Sequence, residues 1–345
     1  MACLFSSEGC GIFAGFEVSM KIFRIFSNPF LVIGVFVGTV SVMISCGSED
    51  SHKPVNFSKT IAVASPNFQT QESRQLNVAV AAMISPKETL RYYKELLAYL
   101  ADKLNYKVRL VQRRTYREVN EMFLKHQLDL AFICTGPYVA GRQHYGFVGL
   151  ATPVIRGRPY YQSYLIVNKQ SAIATLAQLR GKTFAFTDPD SNTGALVPQY
   201  WLALMGEQPS SFFGNIIYTY SHDNSIMAVA RSLVDGAAVD GHQWEYFNLR
   251  NPQYTRITRI IKKSAAFGNP PLVASAGLAS ELKAKIQQVL LTMHQDPQGK
   301  AILDQLLIDR FDAPQEKWYQ SVREMYLKVQ SIDEKDIDKN LAPHT

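Results

Sequence analysis

Residues 188–194 read Asp-Pro-Asp-Ser-Asn-Thr-Gly, between the apolar run 183–186 and the apolar run 195–205. That order predicts a strand, a turn of small polar residues and the start of a helix. The first N–H groups of a helix have no intrahelical partner, and the helix dipole is positive there. Ser191, Asn192 and Thr193 can add donors around that point, and Gly194 lets a ligand approach the backbone closely. Such a corner can hold a small oxyanion. The same residue types also make an ordinary helix cap after a turn. On the anion reading, Asp188 and Asp190 must face away from the ligand. Pro198 has no N–H to give, which predicts a late helix start or a kink.

Other polar and aromatic residues follow the ends of predicted strands. Ser221-His222-Asp223 comes after the strand 216–220 and opens another helix, with His222 offering one donor, or two when protonated, beside Ser221. A plain Ser or Asp cap is the competing reading there. Asp240 follows the strand 236–239; a carboxylate beside an oxyanion requires a ligand that keeps a proton or carries an amine, and otherwise Asp240 is a cap. Tyr116, Thr135 and Tyr138 follow strand ends in the first half, and Tyr161 lies where the chain crosses over. Their hydroxyls can bond an anion while rings such as Trp244 and Phe267 cover an apolar substituent. Core packing is the other use for each of these rings. No Gly-x-Ser-x-Gly elbow and no His/Asp/Glu group with metal-ligand spacing is present, and no cofactor is expected.

The elements that would position these residues alternate along the chain. Strands are predicted at 76–82, 108–111 and 129–134, with helices at 86–104 and 116–126 and another from Thr135. Leu90, Tyr93, Leu97 and Leu100 supply the helical spacing of the first helix. A second set runs through strands 161–167, 183–186, 216–220, 236–239 and 257–261, with helices at 195–205 and 225–233. After Pro270-Pro271 come a strand, 272–275, and helices at 280–295, 298–307 and 314–329 that would cover the first sheet. Apolar strands between amphipathic helices predict an α/β fold of two lobes, each with a mainly parallel sheet. The expected lobes are 76–158 with 264–345, and 159–263. Ligands in such folds sit beyond the carboxyl ends of the strands, in the cleft between lobes.

The N-terminus is set aside from the fold. Lys21 and Arg24 precede an apolar run of 15 residues, 30–44, short of the about 20 needed for a membrane span. A charged start, a short apolar core and small residues predict an export signal over 1–45, with Met20 as the expected start. Met43-Ile44-Ser45-Cys46-Gly47-Ser48 is similar to a bacterial lipobox, with Cys46 as the lipidated residue; an ordinary signal peptide or single-span anchor is the alternative. Residues 46–75 are polar and read as a tether. Beyond Cys46 only Cys134 remains, so no disulfide framework is available, and Cys134 is expected to be a buried small hydrophobe. The net charge of +7 suits an anionic ligand, but Arg113-Arg114 and Lys262-Lys263 are isolated pairs, so nucleic acid is not an expected partner.

Taken together, the chain from about Leu76 to Val329 resembles the phosphonate- and phosphite-binding lipoproteins of bacterial ABC importers. The resemblance is carried by 160–169 (Tyr-Tyr-Gln-Ser-Tyr-Leu-Ile-Val-Asn-Lys), 186–198 (Phe-Thr-Asp-Pro-Asp-Ser-Asn-Thr-Gly-Ala-Leu-Val-Pro) and Ser221-His222-Asp223, in that order. It implies the type 2 periplasmic-binding-protein fold. It also implies that Ser191, Asn192, Thr193 and His222 hold the oxyanion and that Tyr161 and Asp240, with Tyr116 and Tyr138, line the pocket. The chain departs from the family pattern at Asn192, where Thr is usual, in the loop 265–270, and at 273–277, which lacks the common Arg-Lys pair. The implied role is a membrane-anchored, extracytoplasmic monomer that hands a phosphonate, phosphite or phosphate to a permease and its ATPase. A sensor or a receptor for a sulfonate or other organic anion would use the same fold. An exported ester hydrolase using Ser191 or Ser221 with His222 is the reading from another class.

Overall fold

A computed structural model describes residues 74–81 and 85–341 of the chain. The predicted export signal, Met20, Cys46 and nearly all of the tether lie outside the described residues. The first part comprises β1 (Gln75–Val80), α1 (Pro86–Leu104), β2 (Lys107–Val111), α2 (Tyr116–Leu124), β3 (Leu130–Phe132), α3 (Thr135–Tyr145) and β4 (Phe147–Val154). Helix α1 starts on Pro86, whose missing N–H costs nothing at a helix start, and ends on Asn105 in the left-handed region at φ 56°. Its buried stripe is Leu96, Leu97, Leu100 and Leu104, while Leu90 is exposed, so the apolar face is rotated from the one the spacing suggests. Each fully buried leucine contributes about 2 kcal/mol.

The chain then crosses through β5 (Tyr160–Tyr161) into β6 (Ser163–Asn168), β7 (Thr183–Phe186), a π-helical turn (Asn192–Leu196), α4 (Val197–Ala203), α5 (Pro209–Phe212) and β8 (Asn215–Tyr218). It continues through α6 (His222–Ala230), β9 (Gly236–Asp240), α7 (Gly241–Arg250), α8 (Pro252–Thr255) and β10 (Thr258–Lys263). The return passes β11 (Phe267–Gly268) and β12 (Leu272–Ser275), then α9 (Ser280–Thr292), α10 (Pro297–Gln305), β13 (Arg310–Asp312) and α11 (Gln320–Leu341).

Two sheets result, ordered β13-β4-β12-β3-β1-β2 and β10-β6-β9-β7-β8. Each is mixed rather than mainly parallel. The strand that arrives from the opposite half, β6 in one sheet and β12 in the other, enters against the direction of its neighbours. The parallel trio β9, β7 and β8 brings three strand ends side by side. The two crossings are paired as a short antiparallel ribbon, Tyr161 opposite Phe267 and Tyr160 opposite Gly268. Helices α9 and α10 cover the first sheet, their Ile286, Leu290, Ile302 and Leu303 packing in one core with Leu76, Val78 and Leu130. Helix α11 departs from expectation: its Val322 and Met325 pack with Leu165, Phe186 and Leu196 of the second half.

Candidate anion-binding site

The polar corner predicted after β7 forms because Pro198 withholds an N–H. The Gly194 carbonyl, which a regular helix would offer to residue 198, instead accepts the Thr187 N–H at 3.2 Å. The turn widens to a π-helical one, with the N–H groups of Ala195 and Leu196 both donating to the Ser191 carbonyl, at 3.1 and 2.9 Å. Regular α-helix begins only at Val197. Gly194 is required here, since a Cβ on it would lie 1.8 Å from Thr187 Oγ1. The Ser191 hydroxyl accepts the Gly194 N–H at 3.0 Å, and the Thr193 carbonyl accepts the Ser163 hydroxyl at 2.7 Å.

Asn192 faces inward and is fully buried. Its amide Nδ2 donates to the Tyr161 hydroxyl at 3.0 Å, and its backbone N–H donates to Cys134 Sγ at 3.4 Å. Asn192 Oδ1, Thr193 Oγ1 and the Tyr116 hydroxyl are buried without a partner among the described residues. Each such atom costs about 1–3 kcal/mol unless a further polar group meets it. Burial holds the Tyr116 and Tyr161 hydroxyls well above their ordinary pKa and the Cys134 thiol up at about 11, so all three stay protonated. None of these side chains is a cation; the donors are dipoles and hydroxyls.

His222 is the first residue of α6, capped by Ser221 Oγ, which accepts the Asn224 N–H at 3.4 Å. From the end of β8 it reaches across the end of β7 to β9, where its Nδ1 accepts the Asp240 N–H at 3.0 Å. Burial pushes His222 down to about 3, so the ring is neutral and carries its proton on Nε2, one donor rather than two. This geometry leaves no Ser–His pair, since Nδ1 faces a backbone donor and Ser221 serves the helix. Asp240 does cap α7: its Oδ1 accepts the N–H groups of His242 and Gln243 at 2.8 and 3.1 Å. Burial raises its pKa, with His242 and the two N–H donors opposing.

The two acids of the loop point away from the cluster, as the anion reading requires. Asp188 accepts the N–H of Tyr116 and of Asp190, both at 2.9 Å, and Asp190 pairs with Arg117 at 3.5 Å. The Tyr116–Asp188 bond, the Arg117–Asp190 pair and the Ser85 N–H donating to Asp223 Oδ1 at 3.0 Å tie the first half to the second. The halves are closed.

Ser191, Asn192, Thr193, Tyr116, Tyr161, Ser221, His222 and Asp240 thus form one buried neighbourhood. Tyr138 does not join it: its ring meets Tyr319 edge-on at 4.8 Å in the core beside Phe123 and Phe147, and its hydroxyl lies over Gly149. Trp244 lies elsewhere too, donating to Thr258 Oγ1 and packing on Tyr164, whereas Phe267 meets the Tyr161 ring edge-on at 6.2 Å. Thr135 anchors the start of α3 by donating to the Gly268 carbonyl at 2.8 Å. Cys134, expected only to pack, also accepts the Asn192 N–H; its place between the end of β3 and the start of α3 is the sequence signal for that bond. Among the described residues, no group of His, Cys, Asp and Glu is placed to hold a metal ion.

The family model for periplasmic substrate-binding proteins of phosphonate ABC transporters matches residues 78–319. A phosphonates-binding periplasmic protein from Escherichia coli (strain K12) is 26% identical over 247 residues, covering 70% of this chain and 73% of the relative. The crystal structure of a binding protein component of an ABC phosphonate transporter from Pseudomonas aeruginosa superimposes with a TM-score of 0.72 at 25% identity, covering 76% of this chain and 88% of that one. A Prochlorococcus marinus protein solved in complex with methylphosphonate shares the fold, with a TM-score of 0.67 at 22% identity over 75% and 99% of the two chains. Two α/β lobes around a cleft are the type 2 periplasmic-binding-protein fold, and the hydrolase reading gives way to a transporter component. The chain belongs to the phosphonate-binding family of periplasmic substrate-binding proteins of ABC transporters.

Proposed function

We propose that the chain binds a small phosphorus oxyanion, such as phosphonate, phosphite or phosphate, in the buried cluster. In this reading Ser191, Asn192, Thr193, Tyr116, Tyr161, Ser221 and His222 surround the ligand, and Asp240 sets its polar edge. The observation that carries the reading is the set of unpaired buried polar atoms on Tyr116, Asn192 and Thr193, gathered at the start of the π-helical turn. Hydroxyls and the neutral His222 supply donors in a site emptied of water, where each bond is strong. Closure of the two lobes, with α11 packed on the second, buries the ligand and presents the closed form to the permease. Tyr138 acts only through packing. Calorimetric titration with methylphosphonate, phosphite and phosphate tests this: one site per chain is expected, and no heat from any of them at millimolar concentration overturns it.

We further infer that the protein is held at the membrane by lipid on Cys46 and works as a monomer. The motif around Cys46 and the short apolar run before it support the first point. Mass spectrometry of the exported protein, and its release from membranes by Cys46→Ala, test anchoring; light scattering on the eluted protein tests the monomer.

A further inference from the structure

One end of the Asn192 amide is already engaged. Its Nδ2 donates to the Tyr161 hydroxyl at 3.0 Å, while Oδ1 is buried with no partner among the described residues. What lies behind Tyr161 fixes the direction of that amide. The Tyr161 hydroxyl also hydrogen-bonds with Thr135, a fully buried residue. The Thr135 proton is spent on the Gly268 carbonyl at 2.8 Å, so towards Tyr161 its oxygen can only accept. The Tyr161 proton therefore points to Thr135, and the Tyr161 oxygen is left to take the Asn192 N–H. The bonds run one way, from Asn192 through Tyr161 and Thr135 to Gly268, and end on an atom that cannot donate. Gly268 is itself held in the crossing ribbon, opposite Tyr160. Turning the amide over would leave a buried group of this chain unpaired.

A carbonyl oxygen has lone pairs and no hydrogen. Asn192 Oδ1 accordingly repels a bare anionic oxygen and accepts from an O–H. A threonine hydroxyl at this place could turn its proton to the ligand; the asparagine oxygen cannot. The neighbouring donors do not compensate with charge. Burial pushes His222 down to about 3, so its ring is neutral, and the Tyr116 and Tyr161 hydroxyls keep their protons. Cys134, whose Sγ accepts the Asn192 N–H, is held up at about 11 and stays a thiol. Asp188 accepts the Tyr116 N–H and Asp240 lies behind His222, so the nearby acids add acceptors rather than donors. A dianion is harder to desolvate than a monoanion, and it meets no cation among these side chains.

We propose that Asn192 makes the site selective for the singly protonated monoanion, whose P–OH donates to Oδ1, and that Thr135 is the positioning residue that holds the amide in this direction through Tyr161. The inference rests on the anion reading above. The test is calorimetric titration of the intact protein with methylphosphonate, above the ligand's second ionisation, in two buffers of different ionisation enthalpy. Drawing the monoanion from a solution of dianion is expected to take up about one proton per ligand bound and to raise Kd about tenfold per pH unit. The phosphorus-31 shift of the bound ligand is expected to stay at the monoanion position while that of the free ligand moves. The titration is repeated on Asn192→Thr and on Thr135→Val, which frees the Tyr161 proton to turn to the amide. Both variants are expected to take up less than about half a proton and to lose less than about threefold in affinity per pH unit. His242, which faces Asp240 and has a raised pKa, is common to all three proteins and cancels in the comparison. Binding without proton uptake by the natural protein, or undiminished uptake by Asn192→Thr, overturns the proposal and leaves the anion site standing. Undiminished uptake by Thr135→Val alone overturns the positioning role. Failure of methylphosphonate to bind at any pH removes the anion reading itself, and this inference with it.

Discussion

Gly136 lies near the start of α3 in the first half, and a Cβ added there would sit 2.7 Å from the Asp190 carbonyl oxygen of the second half. It would also meet Asn192 N and the Tyr326 hydroxyl, each at 3.1 Å. Two of these atoms are backbone of the anion loop, so they cannot swing aside. Gly136→Ala therefore forces the halves apart by roughly 0.7 Å before ordinary contact is restored, enough to forfeit a quarter to a half of the dispersion well across the seam. Overpacking of this kind costs about 1–3 kcal/mol. The closed form alone bears that cost, so Kd for methylphosphonate should rise about 5- to 150-fold. The melting temperature of the ligand-free protein should change little. Gly149→Ala is the internal comparison: its Cβ would lie 2.6 Å from the Tyr138 hydroxyl, inside one half, so it should lower the melting temperature and leave Kd nearly unchanged. An unchanged Kd for Gly136→Ala, or the same pattern for both variants, refutes the seam as the place where ligand is gripped.

Further outcomes follow from the same geometry. His222 falls from 6.5 to about 3 in the folded protein, so the unfolded chain binds the extra proton between those values and stability is lost as pH drops through that window. Between pH 7 and pH 5 this amounts to about 2 kcal/mol, or some 4 °C in melting temperature, relative to His222→Gln. Asp188 and Asp240, whose pKa values are raised by burial, act in the opposite sense but are common to both proteins, and parallel pH profiles would contradict the His222 geometry. Asn192→Leu removes the donor to the Tyr161 hydroxyl oxygen and should weaken methylphosphonate binding by at least about tenfold at unchanged circular dichroism, because that buried acceptor loses its partner. Asp188→Asn offers one acceptor where the N–H groups of Tyr116 and Asp190 need two, and should cost about 1–3 kcal/mol in binding, read by calorimetry.

Much of this fold is legible in residue spacing. The limits of α1 and β7 follow from Pro86 and from the apolar run before Asp188. The polar turn after β7 is legible too, because small polar residues after a strand and before an apolar run mark a helix start, whether as a cap or as an anion corner. What escaped has physical causes. Strand β4 contains Gly149 and Pro153, which argue against a strand, yet it lies inside the first sheet between β12 and β13. Helix α7 buries only Gly241 and Phe247, so its periodicity is faint, although it forms a wall of a cavity. Tyr138 follows a strand end as Tyr116 does, but it lies in α3 with its ring in the core; sequence position alone cannot tell which side of a helix start faces the cleft. The capping role of Asp240 is local and is one of the two readings its position offers, whereas the acceptor role of His222 Nδ1 is a tertiary fact, set by where β8 and β9 end.

The ribbon of β5 and β11 joins both crossings into one strap, reinforced by the Asn269 N–H on the Pro159 carbonyl and the Ser163 N–H on Ser264 Oγ, each at 2.8 Å. Two separate linkers would let the halves twist, slide and swing; a single laced strap leaves chiefly a swing about one axle. Tyr161, whose hydroxyl meets Asn192, sits on that axle. On the proposed reading, a guest at Asn192 would be felt at the pivot as well as at the jaws.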